Sequence, residues 1–450
     1  MTFEEHMHRT LGGDYGPWLA AQEKPPLRGI RANLLKVTPG RLRELLGEPL
    51  GEIPFCGSGF VLEPQSALGG SHPLHHAGAF YFQEPSAMSP VTALDPQPGD
   101  TVLDLCAAPG GKSTQIAAAL KGRGLLWSNE IVRGRAKILL SNLERMGVHN
   151  AVVSSAHPEP LCRELKGFFD KVLADAPCSG EGMMRREPEI RKTWSYENVK
   201  ACAARQLKLL DSAAEAVKTG GVLVYSTCTF AGDENEQVIA AFLETHPDFQ
   251  LEEIPHSFGR SAYERLAPGC AGITRARRIL PQDGGEGHFV ARMRRKSENM
   301  WCGAYFTPTG LTASEQSVYE ECCRSFLKEL PEGAPHRQGE DVLLLPSGIP
   351  AGKGLGILRA GVLAGTLRGG KRFEPAHALF QSLNPEQMRA ALDMDMESPE
   401  LLRFLRGEEL PFDSGRGYIP VTVNGIPLGF GKASGGRLKN HYPKGLRNFG

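Results

Sequence analysis

The sequence has no excess of charge. Its 51 Lys and Arg balance 51 Asp and Glu, for a formal net charge of zero. RNA-binding chains are often basic overall, so any charge that holds RNA here must be local. No run of about 18 apolar residues occurs, which excludes a membrane-spanning helix. The opening MTFEEHMHRT carries acids early and no apolar stretch behind a basic one, so no secretory signal is expected. The 10 cysteines are scattered, with no paired CxxC motifs. That argues against a zinc site and a disulfide scaffold, and a reducing cytoplasm is the expected compartment. No metal is expected. The histidine cluster HPLHH (His72, His75, His76) has no acid or cysteine beside it at ligand spacing. Internal repeats and long low-complexity tracts are also missing.

What is present is a chain of 450 residues, longer than one hydrophobic core usually holds. Residues 1–92 mix helix and strand signals, with a strand over 30–35 and a helix from Pro39 to Gly47. From residue 100 the pattern becomes regular. TVLDLC (101–106), GLLWSNE (124–130), AVVSS (151–155), FDKVLADAP (169–177), GVLVYSTC (221–228) and GHFVARM (287–293) read as apolar strands. Helical stretches lie between them at 112–120, 132–147 and 197–221, the last ended by two glycines. This alternation predicts βαβ units and an α/β doubly wound, Rossmann-like sheet over 93–295. Beyond 296 the regularity ends. A helix over 311–329, Gly-rich short strands to about 372, a helix over NPEQMRAALDM (384–394) and a hairpin turning at Asn424-Gly425 predict small β-rich modules, divided at 296–378 and 379–450.

The segment DLCAAPGGKSTQ (104–115) joins the first strand to the first helix. Gly110 and Gly111 allow close backbone approach, and the helix start supplies free amides. The segment fits neither GxGxxG nor GxxxxGK[ST], which weakens nicotinamide and P-loop readings. Glu130, at the end of the second strand, is placed to accept both ribose hydroxyls of an adenosine; its plain alternative is a helix-capping acid.

Two cysteines follow two strand ends: Cys178 in DAPCSGEG and Cys228 in STCTF. Ligands of doubly wound sheets sit outside the carboxyl ends of the strands, so both thiols would face one cleft. Carbon 5 of cytosine is too weak a nucleophile to take a methyl from a sulfonium. A thiolate adding to carbon 6 makes it enamine-like. Asp175 is suited to the base edge, either protonated or as a hydrogen-bond partner. The second thiol suits release of the product. Methyltransferases acting on amino groups need neither cysteine, and DNA cytosine methylases use the Pro-Cys cysteine alone.

The motifs LDLCAAPGGKSTQIA, DAPCSGEGM, VYSTCTF and DENE (233–236) resemble the Sun family of RNA 5-methylcytosine methyltransferases. The tail GGRLKNHYPKGLR narrows the resemblance to the bacterial ribosomal RNA branch, RsmF-like. It covers nearly the whole chain, strongest over 79–240. It implies S-adenosylmethionine as cofactor, held by Cys106, Ala107, Ala108, Pro109, Gly110, Gly111, Lys112, Glu130 and Asp175. It also implies Cys228 as nucleophile, Cys178 as the aid to product release, and a PUA-like domain at the C-terminus. One position departs from the pattern: the usual adenine-side acid after the third strand is His157 here, so altered cofactor affinity is expected.

The partner implied is ribosomal RNA or the small ribosomal subunit, met by a monomer. Transfer RNA methylation and a catalytically silent assembly factor are the alternatives; the intact Cys178, Cys228, Asp175 and glycine loop oppose the second. MMRREPEIRKTW (183–194) places Arg185, Arg186, Arg191 and Lys192 near the cleft. Residues 415–450 hold six Lys or Arg and no acid, among them Lys432, Arg437, Lys439 and Lys444, interleaved with Tyr418, Phe430, Tyr442 and Phe449. Basic β modules with aromatic residues suit RNA.

Overall fold

A computed structural model describes residues 1–447, so Phe449 lies outside the described residues. The catalytic core is built from β1 (Thr101–Asp104), α1 (Gly111–Leu120), β2 (Leu125–Asn129), α2 (Arg133–Arg145), β3 (Ala151–Ser154), β4 (Phe169–Asp175), α3 (Tyr196–Ala216), β5 (Val217–Thr227) and β6 (His288–Arg295). Five of the strands run parallel in the order β5-β4-β1-β2-β3. β6 lies antiparallel beside β5. Apolar side chains on both faces explain the continuous Val, Leu and Ala runs. One face packs Val152, Val172, Leu223 and Phe289 against Leu210 and Ala213 of α3. The other packs Val102, Leu126, Leu173 and Val224 against Ile116 of α1 and Leu139 of α2.

The outer edge of β3 is covered by Ile357–Ala360, a strand that returns from the C-terminal part of the chain and pairs antiparallel. An open edge of this kind would otherwise invite pairing with another chain. The N-terminal residues form a four-stranded antiparallel sheet, locked to α1 by buried Arg31, which donates to Gln83 Oε1 at 2.8 Å and Thr114 Oγ1 at 2.7 Å. The C-terminal five-stranded sheet shares one apolar cluster with this N-terminal sheet: Phe404, Leu428, Leu438 and Tyr442 pack with Ile30, Phe60 and Phe80.

Two elements differ from the sequence reading. The helix expected to reach Gly221 ends at Ala216, and β5 begins at Val217, ahead of the glycines. Residues 218–221 loop out of the pairing with β4, because Phe169 faces Val217 while Lys171 faces Val222. The helix expected over 384–394 is a short turn, Pro385–Gln387, followed by the strand Leu392–Met394. Arg389 N donates to Phe326 O at 3.0 Å and Lys328 N to Gln387 O at 2.8 Å, so the end of a neighbouring helix captures that backbone. The helices lie on either side, at His377–Ser382 and Pro399–Arg406.

The three histidines of HPLHH have other partners. His72 caps the short helix Pro73–His76, His75 Nδ1 meets Gly70 O at 2.9 Å, and His76 Nδ1 meets the Tyr442 hydroxyl at 2.8 Å. No helix among the described residues is long and apolar enough to cross a membrane.

Candidate active site at the carboxyl ends of the core strands

β1, β4 and β5 end at Asp104, Asp175 and Thr227 on the same edge of the sheet. Asp175 stands opposite Ser226, whose hydroxyl donates to Asp175 Oδ1 at 2.6 Å. The chain then runs three residues to Cys178 on one strand and one residue past β5 to Cys228 on the other. Their sulfur atoms are 3.3 Å apart and both residues are partly exposed.

The two loops are stitched together below the sulfurs. Ser179 N donates to Glu234 Oε2 at 3.0 Å, and Gln206 Nε2 donates to that oxygen at 2.8 Å and to Pro177 O at 3.0 Å. Gly182 N donates to Cys228 O at 2.9 Å. Glu234 is fully buried, and burial pushes its carboxyl up to about 7.

The thiols are not equivalent. The contact with Cys228, with burial behind it, raises Cys178 well above the usual thiol range. Cys178 therefore keeps its proton and can donate it toward the Cys228 sulfur. Lys112, from the first turn of α1, places Nζ 2.7 Å from Asp175 Oδ2. Burial opposes its charge, but Asp175 outweighs burial and Cys228 adds to the effect, so the ammonium is held. Burial would raise Asp175 too, yet Lys112, His288 and Ser226 together hold it below the usual carboxylate range. The protonated form of Asp175 is thus disfavoured, which leaves hydrogen bonding to the base edge as its open role. Lys112 was expected only as a cofactor contact; its bridge between Asp175 and the Cys228 region depends on register, which the sequence does not show.

The cofactor loop follows β1. Its amides ahead of Thr114, the first to bond back into α1 (to Gly110 O), are free of intrahelical partners. Asp104 Oδ1 is buried without a partner, and burial pushes that carboxyl up to about 7. Burial, followed by Asp104, Asp175 and Glu130, raises the Cys106 thiol, so three carboxylates face this loop. A ligand with an ammonium and a sulfonium fits that acceptor set, and the free amides at the start of α1 are the donors for its carboxylate. The glycines have an additional reason: Gly110 has φ +116°, and a Cβ there would lie 3.2 Å from Leu139, while one on Gly111 would lie 3.3 Å from Tyr81. Ala107 N donates to Asn129 O at 2.8 Å, Arg135 donates to Ala108 O at 3.0 Å, and Asn142 donates to Pro109 O at 2.8 Å. Glu130 is buried, accepts Val132 N at 2.9 Å and pairs with Arg135 at 3.3 Å. That bond reaches the N-cap residue Val132 and none of the first-turn amides, so Glu130 braces the turn ahead of α2 without capping the helix. His157 is exposed and caps Pro158–Glu164 through Nδ1, which leaves Nε2 for any ligand.

Of the basic residues beyond the Pro-Cys loop, Arg185 and Arg186 are drawn inward while Arg191 and Lys192 stay at the surface. Arg185 is 8 % exposed at its side chain, pairs with Glu286 at 2.8 Å and donates to Ala21 O at 2.9 Å. Arg186 donates to Leu27 O. Both tie the N-terminal segment to the core, although Arg186 Nε is buried without a partner. Arg191 and Lys192 form exposed pairs with Glu4 and Glu189. By contrast Lys432, Arg437, Lys439 and Lys444 are exposed in the C-terminal sheet and its tail. Lys432 stands directly opposite Lys439 and next to Tyr418 across the strands. A cavity of about 780 Å³ lined by Lys121, His149 and Lys328 lies at the other end of α1, away from both thiols; chemistry rather than hollow size locates the site.

Residues 91–294 match the family described as 16S rRNA methyltransferase RsmB/F. Residues 1–85, 321–383 and 391–448 match the N-terminal, first C-terminal and PUA domains of RsmF methyltransferases. A relative from Vibrio atlanticus, ribosomal RNA small subunit methyltransferase F, is 34% identical and covers 96% of this chain and 94% of its own. The chain belongs to this methyltransferase family. Its counterpart from Shewanella amazonensis is 35% identical over 94% of this chain and 92% of its own. Among solved structures, a methyltransferase homolog from Pyrococcus horikoshii is 32% identical with TM-score 0.57, covering 65% of this chain and 93% of that one. NSun6 of the same organism, solved with SFG, shares the fold at 21% identity and TM-score 0.58, over 66% of this chain and 98% of that one. The methyltransferase uses S-adenosylmethionine, which agrees with the acid-lined loop at β1.

Proposed function

We propose that this methyltransferase modifies carbon 5 of cytosine in the 16S RNA of the small ribosomal subunit, with Cys228 as nucleophile. The observation that carries the reading is the 3.3 Å contact between two thiols, with Cys178 raised by that contact and by burial, at the strand ends where Lys112 pairs with Asp175. The Cys228 sulfur adds to carbon 6, and the electron pair of the 5,6 double bond moves toward carbon 5 and the N3 edge. Lys112 offsets the negative charge that gathers there, and Asp175 holds the base edge by hydrogen bonding. S-adenosylmethionine supplies the electrophilic methyl. Water entering the partly exposed cleft takes the carbon 5 proton, the C–H electron pair re-forms the 5,6 double bond, and the sulfur departs from carbon 6 with its bonding pair. Cys178, holding its proton toward that sulfur, favours the departure. The loop 106–112, Asp104, Glu130 and His157 hold the cofactor.

The exposed row Lys432, Lys439 and Arg437, with Lys444, takes the flanking RNA. Like charges placed opposite each other across strands destabilise a sheet, so an anionic partner is the natural complement. The enzyme works as a monomer in the cytoplasm, on free or partly assembled ribosomal RNA. The test is incubation with tritiated S-adenosylmethionine and RNA from a strain lacking the protein. Label in small-subunit RNA is expected, and label only in transfer RNA would reject the substrate. Cys228→Ala abolishes turnover, whereas Cys178→Ala accumulates a covalent protein–RNA adduct on gels. An adduct that survives Cys228→Ala reverses the assignment.

A further inference from the structure

β6 carries a histidine that the reaction as written does not use. β6 pairs with β5 so that Phe289 faces Thr227 and Val290 faces Ser226. Continuing that register by one residue sets His288 opposite Cys228. Directly opposite residues share a face of the sheet, with Cβ atoms about 5 Å apart. His288 therefore stands on the face that holds Cys228, Ser226 and Asp175. Its charge coupling to Lys112 and Asp175 agrees with that placement. The residue is 5% exposed, and its Nε2 has no hydrogen-bond partner.

The other ring nitrogen fixes the tautomer. His288 Nδ1 lies 3.1 Å from Ser86 Oγ. That hydroxyl has one proton, and it goes to Glu84 Oε2. Burial raises the Glu84 carboxyl, but the amides of Ser86 at 3.0 Å, Ala87 at 2.9 Å and Glu286 at 2.9 Å, with the Ser86 hydroxyl, occupy both its oxygens and favour its acceptor form. Ser86 Oγ must then accept from His288, and the ring proton sits on Nδ1. Nε2 is left as a bare lone pair, buried without a partner, on the strand that pairs with β5.

We infer that His288 Nε2 accepts a hydrogen bond from the exocyclic amino group of the target cytosine and so selects cytosine over uracil. Uracil presents a carbonyl at that position, which would set one lone pair against another. Burial holds the imidazole neutral, with its pKa lowered to about 3, so it is a hydrogen-bond acceptor here rather than an acceptor of the carbon 5 proton. The inference rests on the proposed cytosine reaction and adds the residue that reads the base.

The test crosses the protein with the substrate. RNA carrying the target cytosine, mapped by bisulfite sequencing, is compared with RNA carrying pyrimidin-2-one there, which lacks the amino group. The intrinsic reactivity of the two bases cancels when wild type and His288→Phe are compared. Loss of the amino group is expected to cost the wild type roughly five- to tenfold more in kcat/KM, mostly through KM, than it costs His288→Phe, the worth of one neutral hydrogen bond. His288→Gln, whose amide oxygen can accept, should restore part of the preference. Calorimetric S-adenosylmethionine affinity should match between wild type and variants, while the melting temperature of His288→Phe falls through loss of the buried Nδ1–Ser86 contact. Equal losses in wild type and His288→Phe would overturn the inference, as would a weakened cofactor affinity with unchanged base preference. Absence of methylation by the wild type would instead reject the cytosine reaction itself.

Discussion

Replacing Glu234 by glutamine should remove a pH dependence from the stability of this enzyme. The carboxyl is fully buried between the two cysteine loops, and burial pushes it from an ordinary 4.5 up to about 7. Below pH 4.5 the folded and unfolded chains both hold this proton. Between pH 4.5 and about 7 the unfolded chain releases it while the folded chain retains it, so stability falls as pH rises. Above about 7 both are ionised and the contribution is flat. The gap is worth ~3 kcal/mol, at about 1.4 kcal/mol for each pH unit. Glutamine keeps the shape and one acceptor oxygen for Ser179 N and Gln206, and Ser179 Oγ can turn to Thr229 Oγ1, 2.8 Å away. Thermal melts at pH 5, 6, 7 and 8 provide the assay. Relative to glutamine, the wild type should lose roughly 6–10 °C across that range if the core melts as one unit. A difference between the two proteins that stays constant with pH would refute the reasoning, because only an ionisation can produce the slope.

Arg185→Ala should lower stability in urea unfolding by ~3–5 kcal/mol, because it leaves buried Glu286 unpaired, and should leave the salt dependence of RNA binding unchanged; a changed salt slope with intact stability would return Arg185 to the RNA path. Lys432→Ala and Lys439→Ala should each lower the slope of log affinity against log salt by roughly 0.7–0.9 in fluorescence anisotropy with ribosomal RNA, with melting temperature unchanged or slightly raised by relief of their opposition. An unchanged slope in both would remove the C-terminal sheet from the RNA path.

The parts of the fold legible in the sequence were those set by local period. β1 to β5 announce themselves as short apolar runs stopped by Gly or Pro, and the strand-end rule was enough to bring Cys178 and Cys228 to one edge. What failed depended on distant partners. NPEQMRAALDM has helical spacing, but the backbone of Phe326 and the strand Gly417–Val423 claim it. Arg185 reads as a free cation in a basic segment until Glu286, 101 residues away, meets it. Glu130 is a middle case: its bond to Val132 N is local, but it holds the turn ahead of α2 and does not cap the helix. Lys112 and His288 carried no distinguishing signal, one in a glycine loop and one in an apolar strand. Their meaning comes from the register of β4, β5 and β6.

That register also explains why the two cysteines differ although each follows a strand end. Parallel pairing sets Asp175 beside Ser226, so the thiols are 50 residues apart in sequence but in sulfur–sulfur contact. Two thiolates at 3.3 Å would repel strongly in a partly buried cleft, so only one can ionise at a time. The choice falls to their surroundings. Contact with the Cys228 sulfur and burial raise Cys178 most, and Glu234 adds to this only where it is ionised, while Lys112 couples to Cys228. In the proposed reaction, that asymmetry of burial and charge leaves Cys178 with its proton and Cys228 as the attacking sulfur. On that proposal, exchanging the roles of the two sulfurs requires changing their surroundings, and not the cysteines themselves.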